Sequence, residues 1–316
     1  MADVGCAGIM VADTFCGPMK SLPVEGQLLA LDSMPSKPGG CAPNAAIDLS
    51  KQGFTVDVAG CMNHDAAAEI VLKAMQQYQV NCDHVIYTDL YPTSTTVILL
   101  VEGQDRRYIH VFGANKAFTV EHIDRDWIKT LKVFYLGGLF AMPGIDNAQL
   151  IELLDFCKAN NVISVVDVVL AHDFSGMDQL KQMLPHIDYF LPNDDESLQI
   201  TGQSDPVDQL KMFKKLGAHN VVVTLGRDGA IAASEDKMWK IGIYPADRID
   251  PSGSGDAFAS GLITGILDDL SMPDAMRYGT ALGGSATEAI GTTDGVFTRQ
   301  QALDFMDANQ VVVEEL

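Results

Sequence analysis

From residue 133 onward the chain alternates short apolar runs with segments of helical period. "VFYLGG" (133–138), "VISVVD" (162–167), "DYFLP" (188–192) and "NVVVTLG" (220–226) are near-continuous apolar runs of strand length. Between them, "NAQLIELLDFCKAN" (147–160), "MDQLKQML" (177–184) and "DPVDQLKMFKKLG" (205–217) space their apolar residues like helices. Continuous apolar strands are expected where both faces of a parallel sheet are covered. Strand and helix in strict succession predict an α/β fold, a doubly wound, mostly parallel sheet flanked by helices. Ligands bind such sheets at the carboxyl ends of the strands. Asp13, Asp167, Asn193 and Thr224 fall at those ends.

Two early segments break the pattern. Residues 14–38 are rich in Pro, Gly and Met with little helical period, and 93–112 predicts a hairpin with Gly103 near its turn. Both are expected to be strands of a small sheet that projects from the core as a lid. No linker, repeat or low-complexity tract interrupts the 316 residues, so 1–316 is expected to be a single domain with these lid segments.

Four short stretches carry candidate chemistry, each with a plain structural alternative. "IDPSGSGDAFASG" (249–261) joins the strand-like "KMWKIGIYPA" to the buried helix "AFASGLITGIL". Gly253, Ser254 and Gly255 would bring unpaired N–H groups of a helix start close to an anion such as phosphate, beside Asp256. The alternative is an ordinary capped loop. In "PGGCAPNAAIDLSKQG" (38–53), Gly40 lets a polar ligand approach and Asn44 hydrogen-bonds it, or the stretch is a turn followed by a helix ending at Gly53. In "LPNDDES" (191–197), Asn193 and Glu196 share one face of a helical turn and suit a hydrated Mg²⁺, or they cap the helix. In "TLGRDGA" (224–230), Thr224, Gly226 and Gly229 line a nucleotide edge or form a tight hairpin.

Composition narrows the partners. There are 21 basic and 42 acidic residues, a net charge of -21, which argues against nucleic acid or an anionic membrane surface. A phosphate ligand would then be met by backbone N–H groups and a divalent cation rather than a basic patch. No apolar run approaches a membrane span, and the first 13 residues read as a strand rather than a signal peptide. The six cysteines form no C-x-x-C pair and suit reduced thiols in a cytoplasmic protein. The seven histidines offer no close pair on one helical face for a metal. No Gly-Lys dipeptide exists for a P-loop, and Phe258 stands where G-x-G-x-x-G requires its third glycine. "DRDWIK" (124–129) lacks the His and Asn of a protein-kinase catalytic loop.

In this order, the four stretches resemble the ribokinase-like, or PfkB, family of carbohydrate kinases. "GGCAPNAAIDLSKQG" is similar to its N-terminal signature, "NDDE" to its Asn-x-x-Glu motif, "TLGRDG" to its Thr-Leu-Gly-x-x-Gly stretch and "DPSGSGDAFASG" to its C-terminal signature. The resemblance spans the whole chain. It implies ATP-dependent phosphorylation of a hydroxyl on a small sugar. Asp256 would be the base, and Gly253, Ser254 and Gly255 the anion hole. Asn193 and Glu196 would position Mg²⁺ and phosphates, largely through water. Thr224, Gly226 and Gly229 would border the nucleotide. Asp13, Gly40 and Asn44 match positions that bind substrate hydroxyls, and Asp250 and Ser252 match a monovalent-cation site, usually K⁺. The exposed lid admits a homodimer.

Some residues depart from the pattern. Pro251 removes an N–H from the loop beside the cation positions. Cys41 stands where ribokinases carry Lys, and Gly137 and Gly138 offer no carboxylate where ribokinases carry an acidic ribose ligand. Ribose is therefore not favoured. Arg106 and Arg107 in the lid suit either an anionic sugar or plain solvation. A nucleoside kinase of the same family, and a catalytically silent sugar-binding relative, are the alternatives. A silent relative would have no chemical need for Asp256.

Overall fold

The topological reversal of one sheet decides where a ligand can sit. The computed structural model describes every residue except Met1, Asp105, residues 171–173 and Ser175. Its strands are β1 (Val4–Gly8), β2 (Val11–Met19), β3 (Ser36–Gly39), β4 (Val56–Met62), β5 (Asn81–Tyr87), β6 (Ser94–Val101) and β7 (Arg107–Val111). They continue as β8 (Val133–Leu139), β9 (Ile163–Val168), β10 (Tyr189–Leu191), β11 (Asn220–Thr224), β12 (Ala230–Ser234), β13 (Lys237–Ile241) and β14 (Val313–Glu315). The large sheet runs β14-β13-β12-β11-β10-β9-β8-β1-β4-β5. It is parallel from β11 to β5 and antiparallel from β12 outward. This is the mostly parallel, doubly wound sheet that the apolar runs predict. The central strands β1 and β8 are buried along their full length. After β1 the chain fills the sheet toward β5, then returns to β1's other side with β8. The crevice at this reversal opens at the carboxyl ends of β1 and β8.

The first 13 residues are not one strand. β1 ends at Gly8, and from Val11 the chain enters a second sheet of order β3-β2-β6-β7. The β2–β6 pair is parallel and the outer pairs are antiparallel. This is the small lid sheet, and the 94–111 hairpin is as expected. The other expected lid segment differs. Only its ends are strand, and 20–35 carries no strand or helix. Its residues are mostly exposed and lack the alternating apolar face that would pin a strand register. Asp105, within the hairpin, lies outside the described residues.

The helix Cys41–Lys51 packs against β1, β4 and the helix Ser254–Leu267. It is buried from Cys41 to Leu49, including Asp48. Both carboxylate oxygens of Asp48 are buried without a hydrogen-bond partner. Burial holds this carboxyl well above the usual carboxylate range; Lys51, one turn on, opposes that, while Asp256 and Asp294 add to it. A folded carboxyl so held keeps a proton that the unfolded chain has released, so stability falls as pH rises above the ordinary carboxylate range. Asp48→Ala is expected to raise thermal stability, by roughly 1–3 kcal/mol at pH 8 and by less at pH 5. Paired melting curves at the two pH values check this. An unchanged or lower melting temperature at pH 8 would refute it.

Candidate active site

Asp250 braces the loop that leads into the helix Ser254–Leu267. Its Oδ1 accepts from Ser252 N at 3.0 Å and Ser252 Oγ at 2.7 Å, and its Oδ2 from Gly291 N at 3.1 Å. Ile249 N and Asp250 N both donate to Thr287 O. Gly253 then turns the chain with φ 78°, and a Cβ there would lie 2.1 Å from Thr292 O. Only glycine meets both demands. No side chain caps the helix that follows. Ser254 N reaches back to Pro251 O at 3.3 Å, while Gly255 faces open space. The first turn therefore leaves N–H groups directed outward, with the positive end of the helix dipole behind them.

Asp256 lies in that first turn and meets the N-terminal half of the chain. Asn44 Nδ2 donates to its Oδ2 at 2.7 Å. Asn44 Oδ1 in turn accepts from Thr292 Oγ1 at 2.8 Å, and that hydroxyl lies 2.9 Å from Pro38 O. Burial raises the Asp256 pKa, and hydrogen bonds from Asn44 and the Cys41 thiol pull it back. Asp13, on β2, is only 6% exposed. Its carboxylate lies against Gly39, where a Cβ would stand 1.9 Å from Oδ2. Burial pushes Asp13 up to about 7; the Thr96 hydroxyl opposes this, and the charges of Asp256 and Asp250 add to it. Gly40 caps the start of the helix that carries Asn44.

A row of acids extends from Asp256. Ligand atoms of Cys41, Asp167 and Asp256 lie within 4.8 Å of one another. Asp167 is the penultimate residue of β9 and accepts from Tyr135 Oη at 3.1 Å. Burial, then the charges of Glu196 and Asp256, hold its carboxyl well above the usual range. Burial likewise pushes Glu196 up to about 7, opposed by N–H groups of Asn193 and Leu170 and helped by Asp195 and Asp194. Asn193 and Glu196 also realise their plain structural alternative. Glu196 N donates to Asn193 Oδ1 at 2.8 Å and Asn193 N to Glu196 Oε2 at 2.9 Å, a reciprocal cap. Asn193 pairs with Thr224, which brings the two motifs side by side.

Thr224, Gly226 and Gly229 line a cavity of about 850 Å³ together with Ser254 and Gly255. The 226–228 turn also closes a β11–β12 hairpin, its plain structural alternative. Asn193 and Glu196 stand outside its lining. Asp13, Gly40 and Asn44 gather instead around Asp256. Charge holds a surprise: Arg106, Arg227 and Arg248 line the cavity, although the totals pointed away from basic side chains there. They are dispersed in sequence, so no cluster announces them. Arg107, by contrast, donates to Gln104 Oε1 at 2.6 Å. Sequence reasoning also missed Tyr135 and Thr292, whose partners lie 32 and 248 residues away. Asp167 stood out only as the polar end of an apolar run.

The profile of pfkB family carbohydrate kinases matches residues 1–299. The chain is similar to the 2-dehydro-3-deoxygluconokinase of Bacillus subtilis, 28% identical over 86% of this chain and 87% of that one. It is also similar to the ATP-dependent 6-phosphofructokinase of Thermoanaerobacterium thermosaccharolyticum, 24% identical over 77% of each. A ribokinase of Haemophilus influenzae is 23% identical over 85% of this chain and 87% of its own length. Among solved structures, a putative ribokinase II from E. coli superposes with a TM-score of 0.83 at 18% identity, covering 98% of this chain and 100% of that one. The ribokinase of Arabidopsis thaliana, complexed with ribose and ATP, gives 0.82 at 22% identity, covering 96% and 98%. These likenesses establish the shared fold. With the profile running through all four motifs, this chain belongs to the pfkB family of carbohydrate kinases.

Proposed function

We propose that this carbohydrate kinase transfers the γ-phosphoryl group of ATP to a hydroxyl of a small sugar, with Asp256 as the base. One observation carries the reading. Asp256 sits in an uncapped first helical turn, between the cavity on one side and the Asp13–Asn44 cluster on the other. The solved relatives named as complexes with ATP and ribose, or with ATP and Mg²⁺, support it by analogy of fold.

Asp13 and Asn44 would hold the sugar's hydroxyls, with Gly40 allowing close approach. The nucleotide would lie along Thr224, Gly226 and Gly229, with Asn193 at the phosphate end. As the sugar oxygen forms its bond to the γ-phosphorus, the bond from that phosphorus to the bridging oxygen of ADP breaks. The hydroxyl proton passes to Asp256. Backbone N–H groups of Gly253, Ser254 and Gly255 face the charge on the transferring group, Gly255 most openly. Ser254 would first give up its turn bond to Pro251.

Asp167 and Glu196 fit a hydrated divalent cation, because both carboxyls are held high by burial and neighbouring negative charge that a cation would relieve. Mg²⁺ bound there would neutralise charge on the β- and γ-phosphates. Asp250 and Ser252 are assigned to bracing the loop. Three donors already occupy the Asp250 carboxylate, so no K⁺ is required by this reading.

Asp256→Asn is expected to lower turnover by at least about 10²–10⁴-fold while ATP binding, measured by calorimetry, survives. Turnover within tenfold of wild type would remove Asp256 from the base role. Glu196→Gln keeps a residue able to complete the helix cap. It should raise the Mg²⁺ concentration needed for half-maximal rate and leave sugar affinity unchanged; the opposite pattern would return the motif to a purely structural role. Asp13 loses acceptor capacity as pH falls through about 7. Sugar KM should therefore rise between pH 8 and 6, and Asp13→Asn should show a high KM that no longer follows this titration.

A further inference from the structure

The strand register of the lid places Lys37, Asp13, Thr96 and His110 in one transverse row across β3, β2, β6 and β7. Residues directly opposite on neighbouring strands share a face. Here that face is the one bearing Asp13, against Gly39 and within electrostatic reach of Asp256.

The Thr96 hydroxyl links the row: it pulls down on the Asp13 carboxyl, and its oxygen lies 3.0 Å from His110 Nδ1. One ring nitrogen of His110 is thereby engaged within the row. His110 is exposed along its strand, but partial burial of its ring lowers its pKa from the ordinary value. The remaining nitrogen, Nε2, is left to hydrogen-bond a ligand. The edge contact with Phe112, at 4.8 Å between centroids, further orients the ring.

The nearby cations are engaged elsewhere. Lys37 Nζ donates to Ile290 O at 2.7 Å and Asp294 Oδ1 at 2.9 Å. Arg107 is bonded to Gln104, and Lys116 lies over the Tyr91 ring. Arg106 stacks on Tyr108 and lines the cavity on the nucleotide side. At the floor, Gly137 leaves no room for a longer side chain, since its Cβ would stand 2.5 Å from Cys41 Cβ.

We propose that the sugar subsite is built for an uncharged polyhydroxy sugar, that His110 Nε2 hydrogen-bonds one of its hydroxyls alongside Asp13, and that sugar acids and sugar phosphates are rejected. A carboxylate or phosphate brought to this row would meet the Asp13 carboxyl, and among the described residues the row's one ammonium, Lys37, is already paired with Asp294. The curated relatives divide on this point, being named for a sugar acid, a sugar phosphate and ribose. The inference rests on reading the Asp13–Asn44 cluster as the sugar side of the kinase site.

The test titrates the full chain by calorimetry with D-ribose, D-fructose, 2-dehydro-3-deoxygluconate and fructose 6-phosphate, and measures ADP release with each. At least one neutral sugar is expected to bind, with kcat/KM about 100-fold or more above either anion. His110→Leu should raise that sugar's KM by about 10- to 100-fold with little change in kcat, and His110→Gln, whose amide can still donate or accept, should restore most of the affinity. His110→Arg should narrow the preference against the sugar acid. Preferred binding or phosphorylation of either anion would overturn the proposal, as would a His110→Leu enzyme with unchanged KM. Absence of ADP release with every sugar would instead count against the kinase reading, and calorimetry would still decide between the two classes. Binding of neither class would overturn the proposal too.

Discussion

A hydrogen bond of 2.7 Å from Asn44 to Asp256 ties the two ends of this chain into one site. It joins the helix that leaves the lid to the helix that receives the uncapped loop, 212 residues later. Much of the surrounding structure keeps these two helix starts in register. Thr292 holds the other end of the Asn44 amide, and its carbonyl sits where a Cβ of Gly253 would be. Asp250 fastens the same loop to Gly291. A short polar chain thus couples the position of the Asp13–Asn44 cluster to that of the helix N–H groups. Transfer between two substrates depends on such alignment, because misplacement of reacting groups by about 1 Å costs on the order of 10²-fold in rate.

The second organising fact is crowding of negative charge. Asp13, Asp167, Glu196 and Asp256 all have carboxyls raised above their ordinary range, burial being the largest cause in each. A site this acidic in a chain of net charge -21 is poorly suited to a polyanion on its own. The arginines at 106, 227 and 248 place positive charge at the cavity, and a divalent cation beside Asp167 and Glu196 would supply the rest. The burial that raises these carboxyls is also what makes their charges strong local determinants of what binds.

The resemblance to one family was legible because its motifs are local. Each of the four stretches is a strand-to-helix or strand-to-strand junction whose glycines, caps and turn residues act within a few positions. Two of them have a local structural role and also stand at the candidate site. Asn193 and Glu196 cap a helix while Glu196 faces the acidic row, and the 224–230 turn closes a hairpin while lining the cavity. The same residue types suit a helix cap or turn and a polar ligand, so a local pattern does not separate the two.

What the sequence by itself determined was the alternation of strand and helix, the lid hairpin and the junctions that carry the candidate chemistry. Hydrophobic period and turn chemistry act over a few residues and can be read along the chain. The tertiary structure alone decided which polar side chains meet. It set Tyr135 on Asp167, Thr292 on Asn44, three dispersed arginines around one cavity, and His110 in a row with Thr96 and Asp13. It also left residues 20–35 without strand, and Asp48 buried without a hydrogen-bond partner. These outcomes depend on strand order, register and packing between segments far apart in sequence, and a linear pattern holds no record of such distances.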